Sequence, residues 1–175
     1  SEVDEVRKDI ERILRKSERD IRRNKEENKR LLDEVRRRIE ENRKENEDLL
    51  KRIEELRRAG RPESEVDEEV RKIIEKSKEH VDRVLEEIEE ELRRSKEHLK
   101  RVNEESEEIA KELKKRVKDV EEVKKEIDKA VEDSKRLVED AERVSDEVRE
   151  RVRRLVERLK EESDRVEREV EKRTT

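Results

Sequence analysis

Apolar side chains recur every three or four residues along almost the whole chain, which is the spacing of an amphipathic α-helix. The pattern runs without a break from Val3 to Leu56 and resumes at Val66. Between them lies Ala59–Ser64, the segment that contains the glycine, Gly60, and the proline, Pro62. Gly is the residue that most readily adopts the positive φ of a helix C-terminal cap, and Ser64 is placed to cap the next helix. The pattern therefore predicts one long helix, a short loop and a second helical region.

A second break is predicted near residue 120, although neither Gly nor Pro follows Ser64. Beyond this point the apolar stripe is rotated by roughly 80° from that of the preceding segment, as measured on a straight helix. The stretch Asp119–Glu122 also resembles an N-terminal cap with Glu three residues on. The predicted elements are helices over 2–59, 64–118 and 120–173 and loops over 59–64 and 117–122, in a single domain over 1–175.

Polar residues repeat at a step of eighteen along the helical stripes. Ser77-Lys-Glu-His80 recurs as Ser95-Lys-Glu-His98. The pair Asn24 and Asn28 recurs as Asn42 and Asn46, and Ser145 recurs as Ser163. Eighteen residues make five helical turns, so the two copies lie on one side of a helix, about 27 Å apart.

The residue numbers of these positions test how the helices pair. In an antiparallel hairpin, residues that lie level have numbers with a constant sum. The pairs 46 and 77, 28 and 95, and 17 and 106 each add to 123, which places the first turn between Arg61 and Pro62. The pairs 80 and 163, and 98 and 145, add to 243, which places the second turn between Glu121 and Glu122. We therefore predict an all-α, up-down-up antiparallel three-helix bundle, a nearly straight coiled-coil-like rod with helices of about 80–85 Å.

Two polar layers follow from this register, each with residues from all three helices. The first contains Asn42, Asn46, Ser77, His80 and Ser163, and the second contains Asn24, Asn28, Ser95, His98 and Ser145. A buried polar group without a partner costs about 1–3 kcal/mol, so such layers are stable only when their members satisfy one another. Satisfied layers would fix helix order and register. The alternative is that some of these residues lie at the solvated boundary of the core. The two histidines are the candidates, because they lie about 80° from the centre of the apolar stripe of their helix.

The histidines suggest a response to acid. If His80 and His98 are buried as neutral members of the layers, their folded-state pKa is depressed below the unfolded value of about 6.5. Stability would then be complete above that value and would fall as pH decreases below it. We expect the effect to be modest, because both residues lie at the edge of the stripe.

Metal binding and catalysis are weaker interpretations of the same residues. His80 and His98 lie about 27 Å apart on one helix and cannot share an ion, and each layer offers one His with Asn and Ser, whereas zinc takes three or four His, Cys or carboxylate ligands. Ser-x-x-His brings a hydroxyl near an imidazole, but neither layer supplies a carboxylate or an oxyanion hole. We expect no enzyme, no metal and no cofactor.

Composition limits the partners. Charged residues make up 62% of the chain, with 52 Lys and Arg against 57 Asp and Glu, and there are no aromatic, Cys or Met residues. The balanced charge favours a salt-bridged helical surface, and a net charge of −5 without aromatic side chains argues against nucleic acid. No apolar run approaches the roughly 20 residues of a membrane span, and residues 1–4 lack signal-peptide character. We expect a soluble protein with no required partner, mainly monomeric, whose location is that of its expression host's cytoplasm.

Taken together, these features resemble de novo designed helical bundles with modular buried hydrogen-bond networks. The resemblance rests on the eighteen-residue step, the duplicated Asn/Ser/His layers, the Ser-Glu-Val-Asp starts at Ser1 and Ser64, and the Gly60–Ser64 connector. It implies a structural scaffold without a natural ligand. The alternative it leaves open is an interaction component, a heteromeric or domain-swapped bundle, which the extra apolar positions Leu137, Val144 and Leu155 would serve.

Overall fold

The computed structural model describes residues 1–172, which form three α-helices. They are α1, Glu2–Arg58, α2, Glu63–Arg116, and α3, Glu121–Lys172. The helices run up, down and up, because residues near the start of α1 pack against the end of α2 and the start of α3. The predicted fold class, an all-α antiparallel three-helix bundle, is confirmed.

Helix termini follow from local chemistry. At the start of α1 the Ser1 hydroxyl accepts a hydrogen bond from the backbone N–H of Asp4 at 3.3 Å, and Gly60 adopts the positive φ of 69° after α1 ends. The start of α2 differs from the predicted cap at Ser64. The Pro62 carbonyl accepts the first helical bonds, from the N–H groups of Glu65 and Val66. Pro62 therefore precedes the first turn of α2, and Ser64 lies inside that turn. Pro lacks a backbone N–H, and at the start of a helix this N–H would have no partner in any case.

The second turn occupies residues 117–120, where the Val120 N–H donates to the Val117 carbonyl at 3.1 Å. The Val120 carbonyl then accepts the Lys124 N–H at 3.2 Å, so Val120 rather than Asp119 precedes the first turn of α3. The turn therefore lies within the predicted loop, 117–122.

The contacts between α2 and α3 lie close to the predicted register, in which the numbers of level residues add to 243. The hydrogen-bonded pair Ser106 and Ser134 adds to 240. The ion pairs Lys114–Asp128 and Lys135–Glu107 each add to 242, and Lys78–Glu167 adds to 245.

The described chain folds as two compact units, each built from a part of all three helices. Unit 1 comprises Ser1–Arg30 and Glu91–Arg149. Its apolar core forms two clusters, one lined by Ile13, Leu113 and Ile127 and the other by Leu99 and Val138. Each helix carries one serine between the two clusters: Ser17 on α1, Ser106 on α2 and Ser134 on α3. Polar and apolar layers therefore alternate inside unit 1.

Unit 2 comprises Leu31–Glu90 and the part of α3 from Glu150 to the end of the described chain. Its core cluster is built around Ile53, which is 1% exposed, with Val66, Val70, Val166 and Val170 around it. Each of these side chains occupies the apolar stripe of its helix. Burying a Val or Ile side chain stabilises by about 1.5–3 kcal/mol, so this stripe is the main favourable term in the unit.

Charged residues cover the remaining helix faces. Pairs such as Lys16–Glu105 (2.6 Å) join α1 to α2, and Lys78–Glu167 (2.7 Å) joins α2 to α3. Exposed pairs of this kind contribute about 0–1 kcal/mol each, so they favour rather than determine the pairing. No helix among residues 1–172 has a stretch apolar enough to cross a membrane.

Candidate functional site

The polar layer of unit 1 is a closed ring of hydrogen bonds between α1 and α2. Asn24 donates from Nδ2 to Ser95 Oγ at 3.1 Å, and Ser95 Oγ donates to Asn28 Oδ1 at 2.7 Å. Asn28 completes the ring by donating from Nδ2 to Asn24 Oδ1 at 3.1 Å. All three residues are buried, at 1%, 3% and 6% exposure for Asn24, Asn28 and Ser95. We call this set the Asn–Ser ring.

The ring exists because of the residue spacing on α1 and the register between α1 and α2. Asn24 and Asn28 are four residues apart on α1, so their side chains lie one above the other on the same face. Ser95 is level with them on α2. Its side chain is short, so the Asn24 amide also reaches the Ser95 backbone. The Ser95 carbonyl accepts a second bond from Asn24 Nδ2 at 3.1 Å, so Asn24 binds both side chain and backbone of α2.

Ser145, the predicted α3 member of this layer, does not join the ring. It is buried, at 6% exposure. Among the described residues, however, no side-chain hydrogen bond connects it to Asn24, Asn28 or Ser95. The ring therefore joins two helices, whereas the sequence predicted a layer joining three.

A second polar set in unit 1 does join all three helices, and the predicted layers omitted it. Ser17, Ser106 and Ser134 form a triangle with O–O distances of 3.2 Å (17–106), 2.8 Å (17–134) and 3.2 Å (106–134). They are 2%, 5% and 0% exposed. Three hydroxyls can each donate once and accept at least once, so the triangle satisfies its own donors. We call this set the serine triangle.

A sequence signal for the serine triangle exists. Ser17 and Ser106 already obey the sum of 123 that identifies level residues on α1 and α2. Ser134 precedes Ser145 by eleven residues, the same step that separates Ser106 from Ser95. Eleven residues are close to three helical turns, so the same face is reached again. A search for the eighteen-residue step alone does not find this layer, because its serines are related to the other polar positions by a step of eleven.

The polar layer of unit 2 repeats the sequence of the Asn–Ser ring but not its bonds. Asn42 and Asn46 are buried, at 6% and 2% exposure, and the Nδ2 atom of each has no hydrogen-bond partner among the described residues. Ser77 and Ser163 are only half-buried, and neither is joined to these amides. Ser95 is buried where Ser77, its counterpart, is not. The less buried serine leaves the two amides of unit 2 without the hydroxyl that closes the ring in unit 1.

One carboxylate of unit 2 has a perturbed titration. Arg165 donates two hydrogen bonds to Glu162, from Nη2 at 2.7 Å and from Nε at 3.0 Å. These bonds lower the pKa of Glu162 below its ordinary value of 4.5, against a smaller opposing effect of burial. The Asn46 amide lies near enough to the carboxylate to add to the lowering, although no hydrogen bond of good length and angle joins them.

The two histidines lie at the edges of the seam between α1 and α2. His80 Nε2 is 3.9 Å from Glu45 Oε2, and its side chain is 45% exposed. His98 Nδ1 is 3.9 Å from Glu27 Oε2, and its side chain is 26% exposed. Neither imidazole is a fully buried member of a polar layer, so the premise of the acid-response hypothesis, neutral buried histidines, is not met.

The chemistry of the described residues is that of hydrogen bonding. No cluster of three or more His, Asp or Glu side chains within residues 1–172 is arranged to hold a metal ion. The Ser77–His80 and Ser95–His98 spacings do not produce a hydroxyl–imidazole hydrogen bond in this part of the chain. The Ser95 hydroxyl donates instead to Asn28.

Comparison with known proteins identified a solved structure entitled "Computationally designed three helix bundle". It is 19% identical, over 98% of this chain and 85% of that chain, with a TM-score of 0.36. A TM-score of this size carries no argument about this chain. No protein-family model matches the chain, and no curated protein matches it.

Proposed function

We propose that the protein is a structural scaffold in which buried polar layers specify helix pairing and register, with no ligand and no reaction. The observation that carries the proposal is the Asn–Ser ring, in which three buried side chains donate and accept among themselves across two helices. A set that satisfies itself leaves no group directed at a substrate. The serine triangle supports the same role, because it connects α3 to both other helices.

Register selection follows from the cost of a slip. If α2 moved by seven residues along α1, Asn28 would face Val102 instead of Ser95. The ring would open, and each buried amide or hydroxyl left unpaired would cost about 1–3 kcal/mol. Apolar layers alone discriminate less, because Val, Ile and Leu in neighbouring layers can replace one another at small cost. The polar layers therefore penalise slipped structures more than they stabilise the correct one.

Chemical cross-linking tests this role. A short bifunctional maleimide is applied to Lys16→Cys/Glu105→Cys, whose parent side chains lie 2.6 Å apart, and to Lys16→Cys/Glu112→Cys, which reports a seven-residue slip. We expect only the first pair to cross-link in the parent chain. When Asn24 and Asn28 become Leu and Ser95 becomes Ala, we expect the slipped product to increase by about tenfold, which corresponds to about 1.4 kcal/mol.

A control separates register from stability. Val138→Ala, on α3, removes a buried apolar side chain from the cluster of Leu99 without changing a polar residue, and it should leave the slipped product unchanged. A slipped fraction that stays constant after the ring is removed would reject the register role. A slipped fraction that rises equally in Val138→Ala would assign the effect to lower stability.

An interaction component is the second candidate, and Val144 favours it. Its side chain is 39% exposed, more than any other large apolar side chain in residues 1–172. A helix supplied by another chain could cover it. Light scattering distinguishes the two candidates: a mass near 21.5 kDa supports the monomeric scaffold, and a multiple of that mass that falls to the monomer in Val144→Glu supports assembly.

A further inference from the structure

A small cavity lies in unit 2 beside the polar layer, between α1 and α2. Asn42 and Glu45 border it from α1 and His80 from α2, while Val81, Val84 and Leu159 form its apolar wall. Its volume is about 10 Å³. That is about the smallest space that holds one water molecule, and a water is retained in such a site only with two to four polar partners. Whether this cavity is a water site therefore depends on its polar groups.

Three of the lining residues, Asn42, Glu45 and His80, carry a polar atom without a direct partner of hydrogen-bond length within residues 1–172. Asn42 Nδ2 is a buried donor without an acceptor among the described residues. His80 Nε2 and Glu45 Oε2 are 3.9 Å apart, too far for a direct hydrogen bond. A polar gap of this length is the distance at which a bridging water is expected. Two hydrogen bonds of about 2.8 Å that meet at nearly a right angle span it.

We propose that this cavity binds one ordered water molecule that connects the buried Asn42 amide to the His80–Glu45 pair. The water oxygen accepts from Asn42 Nδ2, and its two hydrogens are donated to Glu45 Oε2 and to His80 Nε2. The molecule makes three hydrogen bonds, the usual number for a water inside a protein. It thereby satisfies a buried donor that no side chain described in unit 2 reaches.

The charges at the cavity disfavour an anion, and its size disfavours a hydrated cation. Glu41 and Glu45 each contribute a negative charge, and Arg38 contributes a positive one. Arg38 is already paired with Glu87 at 3.4 Å and Glu34 at 4.0 Å, so it does not offer a free cation to an anion. A volume of about 10 Å³ also leaves no room for the hydration shell of a metal ion.

The corresponding positions in unit 1 provide a matched control within the molecule. Asn24, Glu27 and His98 are the eighteen-residue counterparts of Asn42, Glu45 and His80, and His98 Nδ1 is likewise 3.9 Å from Glu27 Oε2. The Asn24 Nδ2 hydrogens, however, are both used, on the Ser95 hydroxyl and on the Ser95 carbonyl. The donor that would hold a water is therefore available in unit 2 and occupied in unit 1.

Water-to-amide NOE and ROE spectroscopy of the uniformly ¹⁵N-labelled protein tests the proposal. The Asn42 side-chain amide, identified by its loss in Asn42→Leu, should show a direct dipolar cross peak with water of the sign that a long-lived bound molecule gives. The Asn24 amide should show none. A missing cross peak at Asn42, or equal peaks at both amides, would overturn the site.

A second pair of variants tests the bridge without removing the reporter amide. Glu45→Leu deletes one acceptor of the water and should abolish or greatly weaken the Asn42 cross peak. Glu27→Leu, the same change in unit 1, should leave it unchanged. A cross peak that survives Glu45→Leu undiminished would contradict the proposed bridge. These readouts do not depend on helix register, so the water site and the register role succeed or fail separately.

Discussion

Ser95 on α2 donates a 2.7 Å hydrogen bond to Asn28 on α1, and this bond closes the Asn–Ser ring. Ser77, which occupies the equivalent position eighteen residues earlier, makes no such bond to Asn46 among the described residues. The two serines are followed by the same residues in sequence, Lys-Glu-His, and differ in burial. They therefore form a matched pair for measuring what a closed ring contributes.

Replacing each of these serines by Ala should have unequal effects. Ser95→Ala removes a partner from Asn24 and from Asn28 and should cost about 1–3 kcal/mol of unfolding free energy. Ser77→Ala breaks no side-chain bond of the described residues and should change it by less than about 0.5 kcal/mol. The gain in helix propensity from Ala is the same at both sites and cancels. Guanidinium denaturation followed by circular dichroism measures both, and equal losses would contradict the ring.

The serine triangle predicts a strongly non-additive series. Each single change, Ser17→Ala, Ser106→Ala or Ser134→Ala, should cost about 1 kcal/mol, because it leaves the other two hydroxyls with fewer partners. The triple variant should cost much less than the three together, because no unpaired polar group remains. Unfolding free energies of all four variants test this. Costs that simply add would show that the hydroxyls act independently.

The lowered pKa of Glu162 predicts how its contribution depends on pH. A carboxyl whose pKa is lower in the folded state stabilises above its unfolded pKa, near 4.5, and loses that contribution as pH falls through the lowered folded value. Wild type should therefore exceed Glu162→Gln in stability near neutral pH, and the difference should disappear in acid below that window. Urea unfolding at a series of pH values measures it.

Arg165 supplies the control for this titration. Because its hydrogen bonds are the largest cause of the lowered pKa, Glu162→Gln made in an Arg165→Gln background should show much less pH dependence. An unchanged pH profile in that background would assign the effect to some other neighbour. The double-mutant comparison also removes any general effect of acid on the rest of the surface.

Replacing Gly60 should change stability through the backbone conformation alone, without a change in packing. Its φ is 69°, and an added Cβ would meet no atom within 4 Å, so the cost of a side chain there is conformational alone. Gly60→Ala should lose about 1–2 kcal/mol, and Gly60→Asn less, because Asn tolerates the left-handed region better. Thermal or guanidinium unfolding compares the two. Equal losses for Ala and Asn would mean that the loop relaxes away from positive φ.

Much of this protein follows from the sequence by itself. The spacing of apolar residues predicted three helices, and the Gly60–Pro62 segment located the first turn. The sum of 123 for residues 28 and 95 and for residues 17 and 106 predicted pairs that are hydrogen-bonded in the structure. These features were accessible because helical periodicity is local, and because level residues of an antiparallel hairpin have numbers with a constant sum.

Only the tertiary structure decided which polar residues meet. The sequence placed His80 and His98 in the polar layers, whereas in the structure both lie partly exposed at the edge of the seam between α1 and α2. The two Asn pairs, which have the same spacing, form a closed ring in unit 1 and, among the described residues, amides without a partner in unit 2. An eighteen-residue step preserves the direction of a side chain on its own helix, but a hydrogen bond needs a partner within about 3 Å on another helix. That distance is set by the packing around each layer, and the repeat of Asn and Ser residues in the sequence does not determine this packing.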